Sequence, residues 1–540
     1  MQIVLGQFLG RCRGSVGAHY VKCLANCGFY RPRASGFMPL LLVLSACAVG
    51  PDFQPPQAPG IAGFTPEVHP ATTASANVAG GAAQKFVVGR DIPGEWWKVF
   101  RSKELEALIA EAIEANPTLQ AAQAALWQAK ENLYAQAGHL LPSVDANASA
   151  TKEQFSPAEF GIAGPPLVFN LYQATVNVSY TPDVFGGQRR QIEANAALTE
   201  YQRFELEASY LTLTSNVVTT VVQMASLRGQ IEATRQIIKA QSDQLEVVRH
   251  QFDLGGASRA DVLTQESEVA TTEATLPPLQ KQLEQQRLVL LALLGHFPNE
   301  RLREHFTLAS FHLPTDLPVS LPSQLVEQRP DVRAAQAQLQ QASAQIGVAI
   351  ANRLPQFPLT AEYGAASLTA ATLFGPGTII WTLAAGATQP IFHGFTLLHQ
   401  QRAAEAAYDM ARAQYRSTVL AAFQNVADVL RALQFDAATL KAQQHAVRVA
   451  SETFDLTRSQ YRLGAVTYII LLNAQRVYQQ ALLALVQAQA ARFADTAALF
   501  QALGGGWWNR VDVIPNPHSP EPQLVEAPSD VIAARHNGGM

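Results

Sequence analysis

The chain has 540 residues, 15% of them charged, with a formal net charge of −4. This length can hold a large core or several domains, and the small charge excludes the dense basic surface of a nucleic-acid-binding protein. All four cysteines, Cys12, Cys23, Cys27 and Cys47, lie in the first tenth of the chain. The rest of the sequence therefore has no disulfide and no thiol chemistry.

The first informative segment ends at Cys47. Arg31 and Arg33 precede a short apolar run, Phe37 to Leu44, and small residues follow this run. A basic region, an apolar run too short to span a bilayer and a small-residue cleavage site are typical of an export signal. We therefore predict a leader over residues 1–46.

Leu-Ser-Ala-Cys at the end of this leader resembles the bacterial lipoprotein box. The resemblance implies cleavage before Cys47 and attachment of lipid to its thiol and new amino group. Ala48 stands where an aspartate often signals inner-membrane retention in this class, which implies the outer membrane. Sequence rich in proline follows, so residues 47–90 are predicted to form a lipidated tether.

An internal repeat organises the rest of the chain. The segment Asn116–Gln123 aligns with Arg329–Gln336, and Leu254-Gly255 aligns with Leu463-Gly464. Similarity of this kind indicates two tandem copies of one structural unit. Residues 91–298 and 329–508 form the two copies, and residues 299–328 are the connector between them.

Each copy has the pattern helix, strand, strand, long helix, turn, helix. Helical periodicity predicts one long helix beside two shorter helices in series. A kink or break is expected at Pro277-Pro278, because proline removes a helix hydrogen bond. The predicted helices are 118–139, 189–252 and 259–294 in the first copy, and 331–353, 395–462 and 467–503 in the second.

Four short segments alternate between apolar and polar residues, which is the pattern of β-strands. They lie near 144–150, 172–180, 357–363 and 381–387. Their length and aromatic ends suit strands that cross a membrane, although half-buried strands of a soluble sheet have the same pattern. Four strands cannot close a membrane barrel, and an open edge cannot face lipid. If the strands lie in a membrane, several chains must share one barrel.

Tight turns join the long helices to their partners. Gly464 supplies the left-handed residue that ends one helix, and Thr467 is positioned to cap the next. In the first copy Gly255 precedes Ser258 and Asp261, either of which can be the cap. Each turn therefore connects two long antiparallel helices.

Several of these motifs resemble the outer-membrane factors of tripartite efflux pumps, the TolC/OprM-like lipoproteins of the NodT family. The resemblance covers about residues 47–508. Besides the lipoprotein box and its tether, the motifs are Trp96-Trp97, Pro117 and Pro330 at the heads of the repeats, Pro182–Gly187 against Pro390–Gly394, and Tyr461–Gly464 followed by Leu471–Arg476.

The resemblance implies an α+β membrane protein that works as a homotrimer. Three chains of four strands would form a 12-stranded β-barrel, continued by a long periplasmic α-helical barrel and girdled by a belt. An inner-membrane RND-type transporter and a periplasmic adaptor would be its partners, and it would be a passive exit duct for drugs or other small molecules. The residues implied to contact the adaptor at the periplasmic tip are Leu254, Gly255, Ser258, Arg462, Leu463, Gly464 and Thr467.

The resemblance is incomplete at the channel gate. The family commonly has Leu-Asp-Ala-Gln-Arg where this chain has Asn473 in place of the aspartate, followed by Arg476. Because asparagine is uncharged, the sequence predicts a gate that depends less on ion pairs and more on Tyr468 and Ile469. Asn473 and Arg476 as merely solvated helix residues remain the alternative.

No catalytic motif is evident, so the sequence predicts neither an enzyme nor a cofactor other than covalent lipid on Cys47. The competing function is a lipid-anchored periplasmic helical-hairpin adaptor without a pore. Such a protein would not need four alternating strands at equivalent positions of two copies. Residues 509–540 match no part of the pattern and are predicted to be a flexible tail.

Overall fold

The computed structural model describes residues 48–61, 63–67, 70–301 and 305–510. Cys47, the predicted leader and the tail beyond Arg510 lie outside the described residues. The described chain forms eight α-helices, which are α1 Lys103–Ala115, α2 Pro117–Gly138, α3 Gly187–Asp253, α4 Arg259–Leu293, α5 Pro322–Gln328, α6 Pro330–Ala351, α7 Thr396–Arg462 and α8 Tyr468–Ala502. Its six strands are β1 Lys85–Val88, β2 Ser143–Phe155, β3 Leu167–Tyr180, β4 Asp316–Val319, β5 Leu359–Ser367 and β6 Ile379–Ala385.

The helices confirm the predicted pattern of one long helix beside two short ones. Helices α3 and α7 have 67 residues each, and at about 1.5 Å per residue each is roughly 100 Å long. Helices α2 and α4 pack along α3, while α6 and α8 pack along α7. Contacts of α3 with α6 and α8 join the two repeats into one layer of helices.

Of the predicted kink or break at Pro277-Pro278, the break is wrong, because α4 continues through both prolines. Both prolines are on the exposed side of the helix. The carbonyl groups that lose their amide partners there can accept hydrogen bonds from water instead, and packing along α3 holds the helix together.

Four strands form one antiparallel sheet in the order β2-β3-β5-β6. Its register joins Ala146, Val176, Tyr363 and Trp381 in one row across the sheet. The predicted strands are confirmed, and those of the first repeat are longer, with 13 and 14 residues against 9 and 7. Within the described chain β2 and β6 are edge strands, each with one strand neighbour.

A small belt packs against the middle of the helical layer. It consists of the parallel pair β1 and β4, the short helix Trp96–Phe100 and helix α1. Trp96 and Phe100 are almost completely buried there, and the Trp96 ring stacks on Phe500 of α8 at 5.5 Å between centroids. The tryptophan pair is therefore a packing anchor.

The boundaries of the predicted tether and tail need correction. Gln84, within the predicted tether, is fully buried and accepts a 2.7 Å hydrogen bond from Arg492 of α8. At the other end Arg510 forms a buried ion pair with Glu207 of α3. Both segments are therefore bound to the helical layer, because Arg492 lies in α8 and Glu207 lies in α3.

Candidate functional site

The sheet has one apolar and one polar face, which its register determines. Trp381 and Tyr363 are 73% and 61% exposed on the apolar face. No described element covers this face, so the structure does not favour the alternative of a half-buried soluble sheet. The apolar face carries Val144, Ala146, Ala148, Ala174, Val176, Val178, Ala361, Tyr363, Trp381 and Leu383, whereas the other face carries Asp145, Asn147, Ser149, Thr175, Asn177, Ser179, Thr360, Glu362 and Thr382.

The two helical turns form the tip at the opposite end from the sheet. Gly255 and Gly464 have φ values of +78° and +74°, in the left-handed region that only glycine adopts without strain. Leu254 and Leu463 precede them and are 78% and 85% exposed. The tip therefore presents two apolar side chains to solvent.

The helices that follow the two turns begin differently. Ser258 forms a capping box with Asp261: its Oγ accepts from the Asp261 amide at 3.2 Å, and its own amide donates to Asp261 at 2.9 Å. Thr467 occupies the equivalent position of α8, but its side chain makes no capping hydrogen bond in the described structure. Arg462 is the last residue of α7, where a cation is favourable for the helix dipole.

Tyr468 lies inside the bundle at the tip. It is 8% exposed and packs among Leu245, Val248 and Leu471. Its hydroxyl donates to the side-chain oxygen of Gln265 in α4, and burial raises the pKa of its phenol. Its hydroxyl therefore links α8 to α4.

Arg476 forms an ion pair that the sequence did not indicate. Its Nε donates to Glu268 Oε2 of α4 at 3.1 Å, and its Nη2 donates to the other carboxylate oxygen. The hydrogen bond to Glu268 raises the pKa of the guanidinium. The expectation of a gate that depends little on ion pairs stays a prediction, but Arg476 has an acidic partner, Glu268 on the other repeat, without a charge at Asn473.

The predicted gate residues fall on two sides of α8. Tyr468 and Arg476 face α4, whereas Ile469 is 55% exposed and Asn473 lies at a groove between α7 and α8 with Ile470 and Val477. Their assignment to a gate stays a prediction. Gln265 and Glu268 were missed, because the sequence shows their helix but not which helix of the other repeat lies beside it.

The family model described as outer membrane efflux protein matches residues 108–296 and 321–505. The pyoverdine export outer membrane protein OpmQ of Pseudomonas putida is 29% identical over 481 residues, covering 88% of this chain and 98% of OpmQ.

Solved structures show the same fold. The outer-membrane channel OprN is 24% identical with a TM-score of 0.76, and the match covers 85% of this chain and 100% of OprN. VceC of Vibrio cholerae is 26% identical with a TM-score of 0.70, and the match covers 77% of this chain and 100% of VceC.

Proposed function

Because the chain belongs to the outer membrane efflux protein family, we propose that three copies share one barrel of twelve strands and one helical tunnel. As a member of this family, the protein is an efflux channel of the outer membrane that projects into the periplasm. The proposed assembly is a passive duct that receives small molecules from an inner-membrane RND-type transporter through a periplasmic adaptor.

The two open edges of the four-stranded sheet are the main support for this proposal. Its edge strands β2 and β6 would leave unpaired amide and carbonyl groups in lipid, which is too costly for a stable membrane protein. Pairing β6 of one copy with β2 of the next removes both edges. Exposed apolar side chains on α2 and α7 also support contact between neighbouring copies. Leu420 and Phe435 of α7 and Trp127 of α2 are 60–64% exposed.

Assembly gives the first prediction. The protein extracted in mild detergent is expected to have the native mass of three chains and to conduct ions in a planar bilayer. Single chains separated from the same sample by heating serve as the control and should not conduct, because their sheet edges are open. A folded single chain that conducts would contradict the proposal, as would a trimer without conductance, which would favour the adaptor alternative.

The tip is proposed to be the adaptor contact. Leu254 and Leu463 are apolar side chains exposed at the two turns, and we propose that together they offer an apolar surface to the adaptor. The positive φ values of Gly255 and Gly464 fix the direction in which these side chains point.

The gate is proposed to depend on the link between the two repeats. Tyr468 and Arg476 of α8 bind Gln265 and Glu268 of α4, so α8 cannot move away from α4 until these bonds break. We propose Ile469 and Asn473 as the residues on the remaining faces of the same gate. Release of α8 would open the tip.

Lipid attachment gives the second prediction. Replacing Cys47 by serine is expected to abolish fatty-acid incorporation, because only the thiol can form the thioether. Metabolic labelling with a radioactive fatty acid measures the result, and Cys27→Ser in the leader is the matched control that should keep the label. The barrel itself is expected to insert in both variants. Label retained on the Cys47→Ser protein would contradict this prediction.

A further inference from the structure

Residues 48–52 are bound tightly to the protein although they begin the segment predicted to be a loose tether. Arg190, in the first turn of α3, is only 6% exposed. Its Nε donates to the Val49 carbonyl at 3.1 Å, and its Nη2 donates to the Gly50 carbonyl at 3.3 Å and to Asp52 Oδ1 at 2.7 Å. One buried guanidinium thus binds three residues of this segment.

The same contact requires glycine on both sides. A Cβ atom on Gly50 would lie 2.5 Å from the Gly347 Cα, and one on Gly347 would lie 2.7 Å from the Arg190 Cγ. Real Cβ atoms do not approach other heavy atoms this closely. The Val49 amide also donates to the Phe185 carbonyl at 3.0 Å. We call residues 48–52 with Arg190 and Gly347 the clamp.

The clamp lies where the sheet meets the helices. Phe185 and Arg190 follow β3 at the beginning of α3, and Gly347 lies in the last turns of α6, shortly before β5. In an outer-membrane channel this level is the periplasmic edge of the bilayer. A lipid on the residue before Ala48 would be held at this edge, because consecutive Cα atoms are about 3.8 Å apart.

We infer that Arg190 is a positioning residue for the lipid-modified amino terminus, which it holds at the periplasmic edge of the membrane through residues 49–52. This inference rests on the proposed lipid attachment at Cys47. A loose tether would let the acyl chains enter the membrane anywhere within its reach. The clamp instead keeps the acyl chains beside the sheet of the same protein chain. Both then enter the bilayer at the same place, and each limits the movement of the other.

A spin label tests whether the clamp forms. Gln54 is exposed two residues beyond Asp52, and a nitroxide on Gln54→Cys reports the mobility of the segment. After leader removal and acylation of Cys47 the chain has no competing thiol. The label is expected to be immobile in the parent protein and mobile after Gly347→Val.

Gly138→Val is the matched control, since Gly138 is also a helical glycine near the sheet but has no atom within 4 Å of its ideal Cβ. The label should stay immobile in it. A mobile label in the parent or in this control, or an immobile label after Gly347→Val, would overturn the clamp. If the parent incorporates no fatty acid while its label is immobile, the clamp stands and the proposed lipid attachment fails.

A double-mutant cycle tests whether Arg190 acts through the lipid. The rate of trimer insertion, followed by pulse-chase labelling, is expected to fall in both Arg190→Ala and Cys47→Ser. The double variant should be no slower than the slower single variant, because each change removes the same lipid contact. Losses that add independently would mean that Arg190 only stabilises the fold and would overturn its positioning role.

Discussion

Replacement of Gly464 by valine is expected to abolish efflux while the assembled protein remains in the outer membrane. Gly464 has φ +74°, and a β-branched residue in this region costs about 1–2 kcal/mol. The turn would have to change its conformation to avoid this strain, and the 85% exposed Leu463 would then point elsewhere. This cost is small for a large assembly. The altered turn nevertheless displaces the surface proposed to meet the adaptor.

Gly377→Val is the matched control for this prediction. Gly377 has φ +82° with open space around its Cβ position, as at Gly464, but it lies between β5 and β6 at the other end of the molecule. Drug susceptibility and crosslinking to the adaptor are the measurements, with protein amount in the membrane checked by blotting. Normal efflux in Gly464→Val, or an equal loss in Gly377→Val, would remove the tip from the functional sites.

The second large effect is expected at the link between the repeats. Arg476→Ala should raise the resting conductance strongly, because it removes both hydrogen bonds to Glu268. Tyr468→Phe should add to this opening by removing the hydroxyl bond to Gln265. High salt should also open the wild-type channel, since the Arg476 side chain is 50% exposed and ionic screening acts over about 10 Å at 0.1 M salt.

Arg458→Ala provides the control for the gate. Arg458 forms an ion pair of 3.0 Å with Asp455 within the same helix, so its loss separates no helices. Asn473→Asp tests the position at which the chain departs from the family sequence. It should tighten closure by adding a negative charge about one helical turn before Arg476. Bilayer conductance is measured across salt concentrations and normalised for bulk conductivity. A resting conductance that is unchanged in Arg476→Ala and independent of salt would contradict a gate held by this link.

This expectation reverses the one drawn from the sequence, where the uncharged Asn473 predicted a gate that depends less on ion pairs. The sequence shows only the possible partners of Arg476 within its own helical segment. Glu268 lies 208 residues before Arg476, and its distance from the arginine depends on how the two repeats pack. A charge pattern along one helix carries no information about that packing.

Helices, strands and repeats were determined by the sequence itself. The long helices end at Asp253 and Arg462, each within a residue of the predicted end, because a glycine in the left-handed region stops a helix locally. Alternation also determined the strands and their two faces, since side chains alternate across a sheet whatever surrounds it. These signals depend on neighbours within a few positions.

Only the tertiary structure decided how the two repeats pack against each other and what the predicted tether binds. Helix α8 has the length and apolar composition of a membrane span, yet it packs along α3 and α7. Residues 48–52 and Gln84 had the composition of a tether, but Arg190 and Arg492 bind them. The hydrogen bonds of these two arginines join residues more than a hundred positions apart. A polar side chain gains its partner from the folded surface, so composition alone could not reveal the clamp or the link at the tip.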